Sequence, residues 1–164
     1  MTGESFRVRP ADETEIDHLA KLWFDGWRDA HELIVPAELT RRRTLASFRD
    51  RMSAGIADVR AIGAPGAATG FAMLKGDELY QLYVSAAWRG RGAAVALIDD
   101  AEARLSERGV AVAWLACAIG NDRAARFYEK RGWRRAGTIV NQLETTNGTF
   151  PLEVWRYEKE LART

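Results

Sequence analysis

The sequence is poor in the residues that hold metals and disulfides. Its 164 residues include one cysteine, Cys117, and two histidines. A single cysteine cannot form an intramolecular disulfide, and one thiol with two imidazoles cannot supply an ordinary Cys/His zinc site. We therefore expect a reduced thiol and no bound metal.

The sequence also lacks an excess of charge and a long apolar run. Its 24 Lys and Arg residues nearly balance 23 Asp and Glu residues, which gives a formal net charge of +1. Such a chain has no long-range field to attract nucleic acid or an anionic membrane. No stretch approaches the roughly 18 apolar residues of a membrane helix, and residues 1–9 lack the apolar core of a signal peptide. We expect a cytoplasmic protein with no nucleic-acid or membrane partner.

The residues that are present fit one globular domain over residues 1–164. The sequence is 47% hydrophobic and 29% charged, and a chain of this length buries roughly 70% of its unfolded surface. Apolar residues at steps of three and four predict helices, and alternating residues predict strands. The predicted helices are residues 12–31, a stretch around 45–52, 89–109 and 121–131. The predicted strands are residues 6–9, 59–62, 69–74, 78–84, 110–118, 136–144 and 152–159.

The order of these elements predicts an α+β (α/β) fold. Strand 78–84, the helix after it and the apolar strand 110–118 form a βαβ unit, so these two strands should be parallel. Strand 152–159 is expected at an exposed end of the sheet, where it would pair with a second copy in a homodimer. The arginines at 41–43 are expected on a solvated helix face rather than at an anion site.

The turn Arg89-Gly90-Arg91-Gly92 between a strand and a helix has the parts of an anion cradle. The first N–H groups of a helix lack intrahelical partners and carry partial positive charge, and glycines allow a phosphate to approach the backbone. The turn lacks the Gly-Lys-Ser/Thr ending of a P-loop and the third glycine of the dinucleotide fingerprint. The alternative is a sharp turn with two solvated arginines.

Two segments resemble motifs of the GNAT acetyltransferases. Residues 84–94, Val-Ser-Ala-Ala-Trp-Arg-Gly-Arg-Gly-Ala-Ala, are similar to the acetyl-coenzyme A signature Arg/Gln-x-x-Gly-x-Gly/Ala. Residues 121–133, Asn-Asp-Arg-Ala-Ala-Arg-Phe-Tyr-Glu-Lys-Arg-Gly-Trp, are similar to the second motif, Asn-x-x-Ala-x-x-Phe-Tyr-x-x-x-Gly-Phe. Two motifs in this order, with a predicted strand between them, are a much more specific signal than either alone.

The resemblance implies the GNAT fold and acetyl-coenzyme A as co-substrate. That fold has a central, mixed and mostly antiparallel sheet of about seven strands, about four helices, and a parallel strand pair that splays apart. Main-chain N–H groups of the first splayed strand would face the pantetheine arm, and those of the glycine turn would bind the pyrophosphate. The implied cofactor-binding residues are Leu82, Tyr83, Val84, Arg89, Gly90, Arg91, Gly92, Ala93, Ala94, Asn121, Arg126 and Tyr128.

The implied reaction is the attack of a primary amine on a thioester. An alkylammonium has a pKa of about 10.4, so a base must remove its proton near neutral pH. We favour Glu78 over Asp77 for this role, and the alternative is a solvated turn carboxylate. The resemblance assigns to Tyr128 the protonation of the departing thiolate. The alternative for Tyr128 is a core tyrosine packed on Phe127.

The sequence leaves the acceptor open. Trp27, His31 and Asn141 are candidates for binding it, although Trp27 can equally be core and His31 a surface residue at a helix end. Cys117 lies in an apolar strand, so direct transfer in a ternary complex is preferred to an acetyl-cysteine intermediate. We expect N-acetylation of a small-molecule amine. The alternatives are acetylation of a protein N-terminus or lysine, and a non-catalytic acyl-coenzyme A binding module.

Overall fold

A computed structural model describes residues 6–162 of the chain. The outermost residues of the predicted domain, 1–5 and 163–164, lie outside the described residues, as does most of the segment in which a signal peptide was not expected. Within residues 6–162, no helix is both long enough and apolar enough to cross a membrane.

Within the described residues, seven strands form one mixed sheet that five helices accompany, one of them short. The strands are β1 (Val8–Pro10), β2 (Val59–Ile62), β3 (Gly70–Lys75), β4 (Glu78–Val84), β5 (Val112–Ala118), β6 (Arg134–Thr145) and β7 (Gly148–Glu160). The helices are α1 (Ile16–His31), α2 (Ala37–Arg42), α3 (Leu45–Gly55), α4 (Ala93–Glu107) and α5 (Asp122–Lys130). The predicted fold class is confirmed.

Local signals in the sequence mark two helix ends. Asp12 caps a short 3-10 turn, Glu13–Glu15, that leads into α1. Its side chain accepts a hydrogen bond from the Thr14 N–H, and the Glu15 carboxylate accepts one from the Asp12 N–H, which together form a capping box. Gly109 follows the last turn of α4 with φ of +84°, a left-handed conformation that suits glycine at a helix end.

The strands lie in the order β1-β2-β3-β4-β5-β7-β6. The β4–β5 pair is parallel, as predicted, whereas β5 and β7 pair along their whole common length in the antiparallel sense. The prediction of an exposed end strand at residues 152–159 is wrong, because β7 lies between β5 and β6. Strand β6 is the end strand on this side of the sheet.

The arginine-rich stretch before β2 also differs from the prediction. It forms two helices, α2 and α3, with a break at Arg43 and Thr44. Arg43 is only 2% exposed, so the solvated face predicted for residues 41–43 is wrong at this position. Arg43 follows the buried Leu39 by four residues, one helical turn, which directs both side chains toward the interior.

The core has two parts, one on each side of the sheet. Helix α4 packs Leu97, Ile98 and Leu105 against the inner strands on one side. On the other side, α1 and α3 pack around Trp23 and Phe48, whose rings meet edge to face at 5.0 Å. The two helical layers hold β4 and β5 between them, and the functional features described next lie where these two strands separate.

Candidate active site

Strands β4 and β5 meet at one end and diverge toward the other. At the end where they meet, Glu78 of β4 pairs with Trp114 of β5. The backbone N–H of Trp114 donates a hydrogen bond to the Asp77 carbonyl at 3.3 Å. Beyond this point the strands leave a gap, which we call the notch. On the opposite side, toward β3, Ser85 follows the last residue of β4, and its N–H donates a hydrogen bond to the Thr69 carbonyl at 2.8 Å.

The backbone of β4 offers hydrogen-bond donors to the notch. Along an extended strand, successive N–H groups point to opposite edges. Since the N–H of Ser85 points toward β3, those of Val84 and Leu82 point into the notch. Buried backbone donors normally have partners, so a segment lying in the notch in an extended conformation would satisfy both.

Two cavities open from the notch. The larger has a volume of about 440 Å³ and extends toward the glycine turn before α4. The smaller, of about 140 Å³, extends toward α1, α2 and the β6–β7 hairpin. Both are lined by Leu82, Tyr83, Asn121, Ala124 and Tyr128. A molecule in one cavity can therefore approach a molecule in the other at these residues.

Most of the residues predicted to bind the cofactor line the larger cavity. They are Leu82, Tyr83, Val84, Arg89, Gly90, Gly92, Ala94, Asn121 and Tyr128. Ala93 is buried at the start of α4, and the exposed Arg91 lies with its guanidinium 4.8 Å from the Trp88 ring. Arg126 is exposed and lies outside the lining of both cavities, whereas Arg123 lines the larger one.

The glycine turn has a backbone that other residues adopt with difficulty. Gly90 and Gly92 have φ values of +77° and +96°, and Gly92 is the N-cap of α4. The left-handed region costs an L-residue roughly 1–2 kcal/mol. The turn thus brings the unpaired N–H groups at the start of α4 to the cavity wall, where the helix dipole favours an anion.

Two arginines at this cavity share one carboxylate. Arg89 and Arg123 contact Asp29 of α1 at 2.9 and 3.4 Å. The hydrogen bond from Arg89 is the main reason that the pKa of Asp29 is lowered. The ion pairs hold both guanidinium groups beside the larger cavity without burying them.

Gly26 explains how α1 can lie so close to the notch. A Cβ atom at Gly26 would be 2.6 Å from Cδ1 of Tyr83, which is closer than real Cβ contacts. The glycine therefore allows the Tyr83 ring to fit between α1 and Phe71, on which the ring stacks at a centroid distance of 6.0 Å. The loss of helix propensity at Gly26 is offset by this packing.

Glu78 lines the smaller cavity and is a weak acid. Burial raises the pKa of its carboxyl to about 7, opposed by Lys75 and Arg156 and reinforced by Asp77. Asp77, the other carboxylate considered from the sequence, is exposed and accepts a hydrogen bond from Trp114 Nε1 at 3.0 Å. Glu78 is therefore the carboxyl group that can take up a proton inside the cavity at neutral pH.

Tyr128 lines both cavities through an aromatic side chain held by its neighbours. Its ring lies edge-on to Phe127 at 5.6 Å and to Trp133 at 6.4 Å. Burial raises the pKa of the phenol well above its usual value. The hydroxyl group has no hydrogen-bond partner among residues 6–162, so it is protonated and available to a ligand.

Asn121 and Cys117 lie beside Tyr128 in this region. The Asn121 side-chain oxygen caps α5 by accepting a hydrogen bond from the Ala124 N–H at 3.4 Å, which leaves its amide N–H groups for other partners. Cys117 is 4% exposed, and burial raises the pKa of its thiol to about 12. A thiol of this kind is a poor nucleophile, because the thiolate is the reactive form.

The residues considered for the acceptor all line the smaller cavity. The His31 ring stacks on Trp27 at 5.1 Å, and its Nδ1 donates to the Trp27 carbonyl at 2.9 Å. Burial lowers the pKa of His31, so the ring is neutral and its Nε2 can accept a hydrogen bond. Asn141 reaches the cavity from β6. Trp23, which precedes Trp27 by four residues on α1, is fully buried and lies outside the lining.

Arg43 and Arg51 also line the smaller cavity, although the sequence did not predict either of them as a site residue. The spacing contained a signal: Arg43 follows the buried Leu39 by four positions, and Arg51 follows the buried Phe48 by three. Residues at these spacings lie on the same face of a helix. Charged residues so rarely face a core that the pattern favoured solvent instead.

Known proteins resemble the chain in sequence and in fold. The model of the acetyltransferase (GNAT) family matches residues 17–133. Uncharacterized N-acetyltransferases of Mycobacterium tuberculosis and Mycobacterium bovis are 40% identical over 83 residues, which cover 48% of this chain. The match spans about half of those relatives, 53% of their length.

Two solved structures have a similar fold over nearly the whole chain. A GCN5-related N-acetyltransferase from Rhodopseudomonas palustris has a TM-score of 0.76 at 23% identity, covering 98% of this chain and 99% of that one. PaiA N-acetyltransferase from Thermoplasma acidophilum, in complex with coenzyme A, has a TM-score of 0.65 at 16% identity, covering 96% and 99%. At these identities the likeness concerns the fold.

Proposed function

Because the chain belongs to the GNAT acetyltransferase family, we propose that it is an N-acetyltransferase that uses acetyl-coenzyme A. It would transfer the acetyl group to a primary amine of a small molecule, by direct attack in a ternary complex. The observation that carries this proposal is the meeting of the two cavities at Tyr128 and Leu82, between diverging parallel strands. One cavity would hold the acetyl donor and the other the amine.

The larger cavity fits an extended, phosphorylated thioester. The N–H groups of Leu82 and Val84 would bind the pantetheine amides and the thioester carbonyl, and Asn121 would add its side-chain amide. The turn at Gly90 and Gly92 would receive the pyrophosphate on backbone N–H groups, with Arg89 nearby. Bound there, acetyl-coenzyme A supplies an activated acetyl group at the junction of the cavities.

Glu78 would act as the general base. A base is most effective when its pKa lies near the working pH, and the pKa of Glu78 is about 7. As a carboxylate it would accept the proton of the ammonium group, directly or through water. The neutral carboxylic acid cannot do so, which makes the proposed reaction dependent on pH.

Tyr128 would act as the general acid. Its phenol stays protonated at every physiological pH because burial raises its pKa. A thiol such as that of coenzyme A has a pKa near 8.5. The phenol, at hydrogen-bond distance, would donate its proton to the departing sulfur as the carbon–sulfur bond breaks, and it would regain a proton from solvent afterwards. The proton would prevent the thiolate from attacking the product.

A small acceptor is favoured over a protein by the size of the smaller cavity. Its volume of about 140 Å³ is close to that of an engineered cavity of about 150 Å³ that binds benzene. A compact molecule fits this space, whereas a polypeptide would have to insert one residue.

A homodimer that forms through a sheet edge would use β6, the end strand.

The test is release of free thiol from acetyl-coenzyme A by the purified chain, with small amines and with peptides carrying a free N-terminus or a lysine. We expect turnover only when a small amine is present. Turnover of peptides alone would replace the small-molecule assignment with a protein one. If calorimetry detects binding of coenzyme A but no amine is acetylated, the chain is instead a non-catalytic binding module.

A further inference from the structure

Two arginines lie in the smaller cavity without a carboxylate partner. Arg43 is 2% exposed and Arg51 is half-buried, and both line the cavity. Nε of Arg43 and both Nε and Nη1 of Arg51 are buried and have no hydrogen-bond partner. Among residues 6–162, no carboxylate forms an ion pair with either guanidinium. A guanidinium group has five N–H donors, and one that lines a cavity with some of these donors unpaired is suited to bind an oxyanion.

The groups that do contact these arginines are neutral. Arg43 donates from Nη1 to the Glu144 carbonyl, and Arg51 donates from Nη2 to the Tyr80 hydroxyl at 2.7 Å. The Arg51 guanidinium also lies 4.3 Å from the centroid of the Trp23 ring. These contacts hold the side chains in place, but they do not neutralise their charge.

The local field at Arg43 is positive, because burial and the neighbouring Arg51 outweigh the nearby acidic groups. Repulsion from Arg51, after burial itself, lowers the pKa of Arg43 to about 10, and the Glu144 carboxylate nearby is engaged by Lys75 at 2.9 Å. Arg43 therefore remains charged at neutral pH. A buried charge without a counterion destabilises the fold, and an anion that binds there removes this cost.

The arginines and Glu78 line the same cavity, and neither arginine is among the charged groups that influence Glu78. The charged groups that influence Glu78 are Lys75, Asp77 and Arg156, whereas those that influence Arg43 are Arg51 and Glu144. A ligand in this cavity would meet both a proton acceptor and two cations. An amino acid has the matching pair of groups.

We propose that the acceptor is a small amino acid whose free carboxylate binds Arg43 and Arg51 while its amine faces Glu78. This assignment rests on the proposed acetyl transfer and names the class of its acceptor. A guanidinium binds a carboxylate through two parallel hydrogen bonds, and in a buried cavity such bonds are strong. The arginine pair would select against amines that lack an acidic group, because those would leave the two charges unpaired.

The experiment compares matched acceptors in the thiol-release assay. Each L-amino acid of a panel is assayed beside its carboxamide and the amine that lacks the carboxyl group. For at least one amino acid we expect kcat/KM to exceed that of its two analogues by about 10 to 100-fold, the usual range for one charged hydrogen-bond pair. Equal or lower values for every amino acid would overturn the assignment.

Variants then test the residues. In Arg43→Gln and in Arg51→Gln the preference for the carboxylate should fall to within about threefold, while the affinity for coenzyme A stays unchanged. The matched control is Arg41→Gln, because Arg41 is exposed and pairs with Glu38. Arg43→Lys replaces Arg43→Gln if the latter does not fold, and it should lower the preference in part. A preference that survives in both glutamine variants would overturn the assignment.

The outcomes separate this inference from the proposed function. Turnover of amines with no carboxylate preference, or of peptides carrying a free N-terminus, would overturn the role of the arginine pair and leave acetyl transfer intact. No turnover of any amine, together with normal binding of coenzyme A, would overturn both.

Discussion

Glu78 lies directly opposite Trp114 at the closed end of the notch, and the Trp114 indole donates to Asp77 at 3.0 Å. This contact fixes the point from which β4 and β5 diverge. It also keeps the neighbouring Asp77 occupied outside the cavity while Glu78 faces inward. The strand pairing therefore decides which of two adjacent carboxyl groups can take part in the chemistry.

The pH dependence of acetyl transfer should report on Glu78. Only its carboxylate can accept a proton, so kcat/KM should fall as the pH drops through about 7, the pKa of Glu78. Glu78→Gln should lower the rate at pH 8 by about 10² to 10⁴-fold and remove the inflection near pH 7. Glu107→Gln, an exposed glutamate at the end of α4, is the control. An unchanged profile in Glu78→Gln would exclude Glu78 as the base.

The same variant should be more stable than the wild type at alkaline pH. The pKa of Glu78 is raised from 4.5 to about 7 in the folded protein, so its contribution to stability is present below pH 4.5 and is lost as the pH rises through 7. The shift corresponds to at most about 3 kcal/mol, which partial exposure reduces to about 1 kcal/mol. Thermal melts at pH 5 and pH 8 test this. We expect the Tm difference between Glu78→Gln and the wild type to be larger, in favour of the variant, at pH 8 than at pH 5.

Removing the hydroxyl of Tyr128 should affect catalysis more than binding. Tyr128→Phe keeps the edge-on contacts with Phe127 and Trp133, so the fold and the affinity for coenzyme A should change little. The loss of the proton donor should lower kcat by about 10² to 10⁴-fold.

Tyr157→Phe is the matched control for Tyr128→Phe. The Tyr157 hydroxyl is hydrogen-bonded to Glu129 at 2.5 Å and lies outside both cavities. This control should lower Tm without lowering kcat. Equal kcat values for wild type and Tyr128→Phe would show that Tyr128 has a packing role only.

A methyl group in the glycine turn should weaken binding of coenzyme A. Gly92→Ala places an L-residue at φ of +96° and adds a Cβ beside the start of α4. Gly66→Ala imposes similar strain at φ of +81°, with open space around its Cβ. Both variants should lose roughly 1–2 kcal/mol of stability. Calorimetry should find Kd for coenzyme A raised about tenfold in Gly92→Ala alone. A similar rise in both would indicate a general effect of lost stability.

Cys117 should be dispensable for transfer. Its thiol is buried and its pKa is about 12, so almost no thiolate is present at neutral pH. Cys117→Ala should keep kcat within about threefold of wild type, and mass spectrometry of the wild type with acetyl-coenzyme A alone should find no acetylated protein. Acetylation at Cys117 would instead indicate a two-step transfer.

Local sequence signals were sufficient for the family and for the order of the strands and of all helices except α2. The capping box at Asp12 and Glu15 and the left-handed Gly109 depend only on neighbours within one helical turn. The glycine turn and the motif beginning at Asn121 are likewise contiguous, so both can be recognised without knowing what they pack against. Boundaries were less accurate, since β5 begins at Val112 and β6 and β7 are longer than predicted.

Nonlocal contacts decided what the sequence left open or predicted wrongly. The position of β7 between β5 and β6 depends on pairing between residues distant in the chain, for which the alternating pattern gives no partner. Arg43 is four residues from Leu39 in a run of three arginines, and composition favoured solvent for all of them. Only the packing of α2 and α3 against β4 and the hairpin places Arg43 inside.

The sequence by itself determined the GNAT family, the βαβ unit and the turn at Gly90 and Gly92, because each depends on residues adjacent in the chain. The tertiary structure decided that Glu78 rather than Asp77 faces the cavity and that Arg43 and Arg51 meet there. Burial sets the pKa of Glu78 and leaves the arginines without counterions. Burial is a property of packed elements, so no single segment of the sequence contains it.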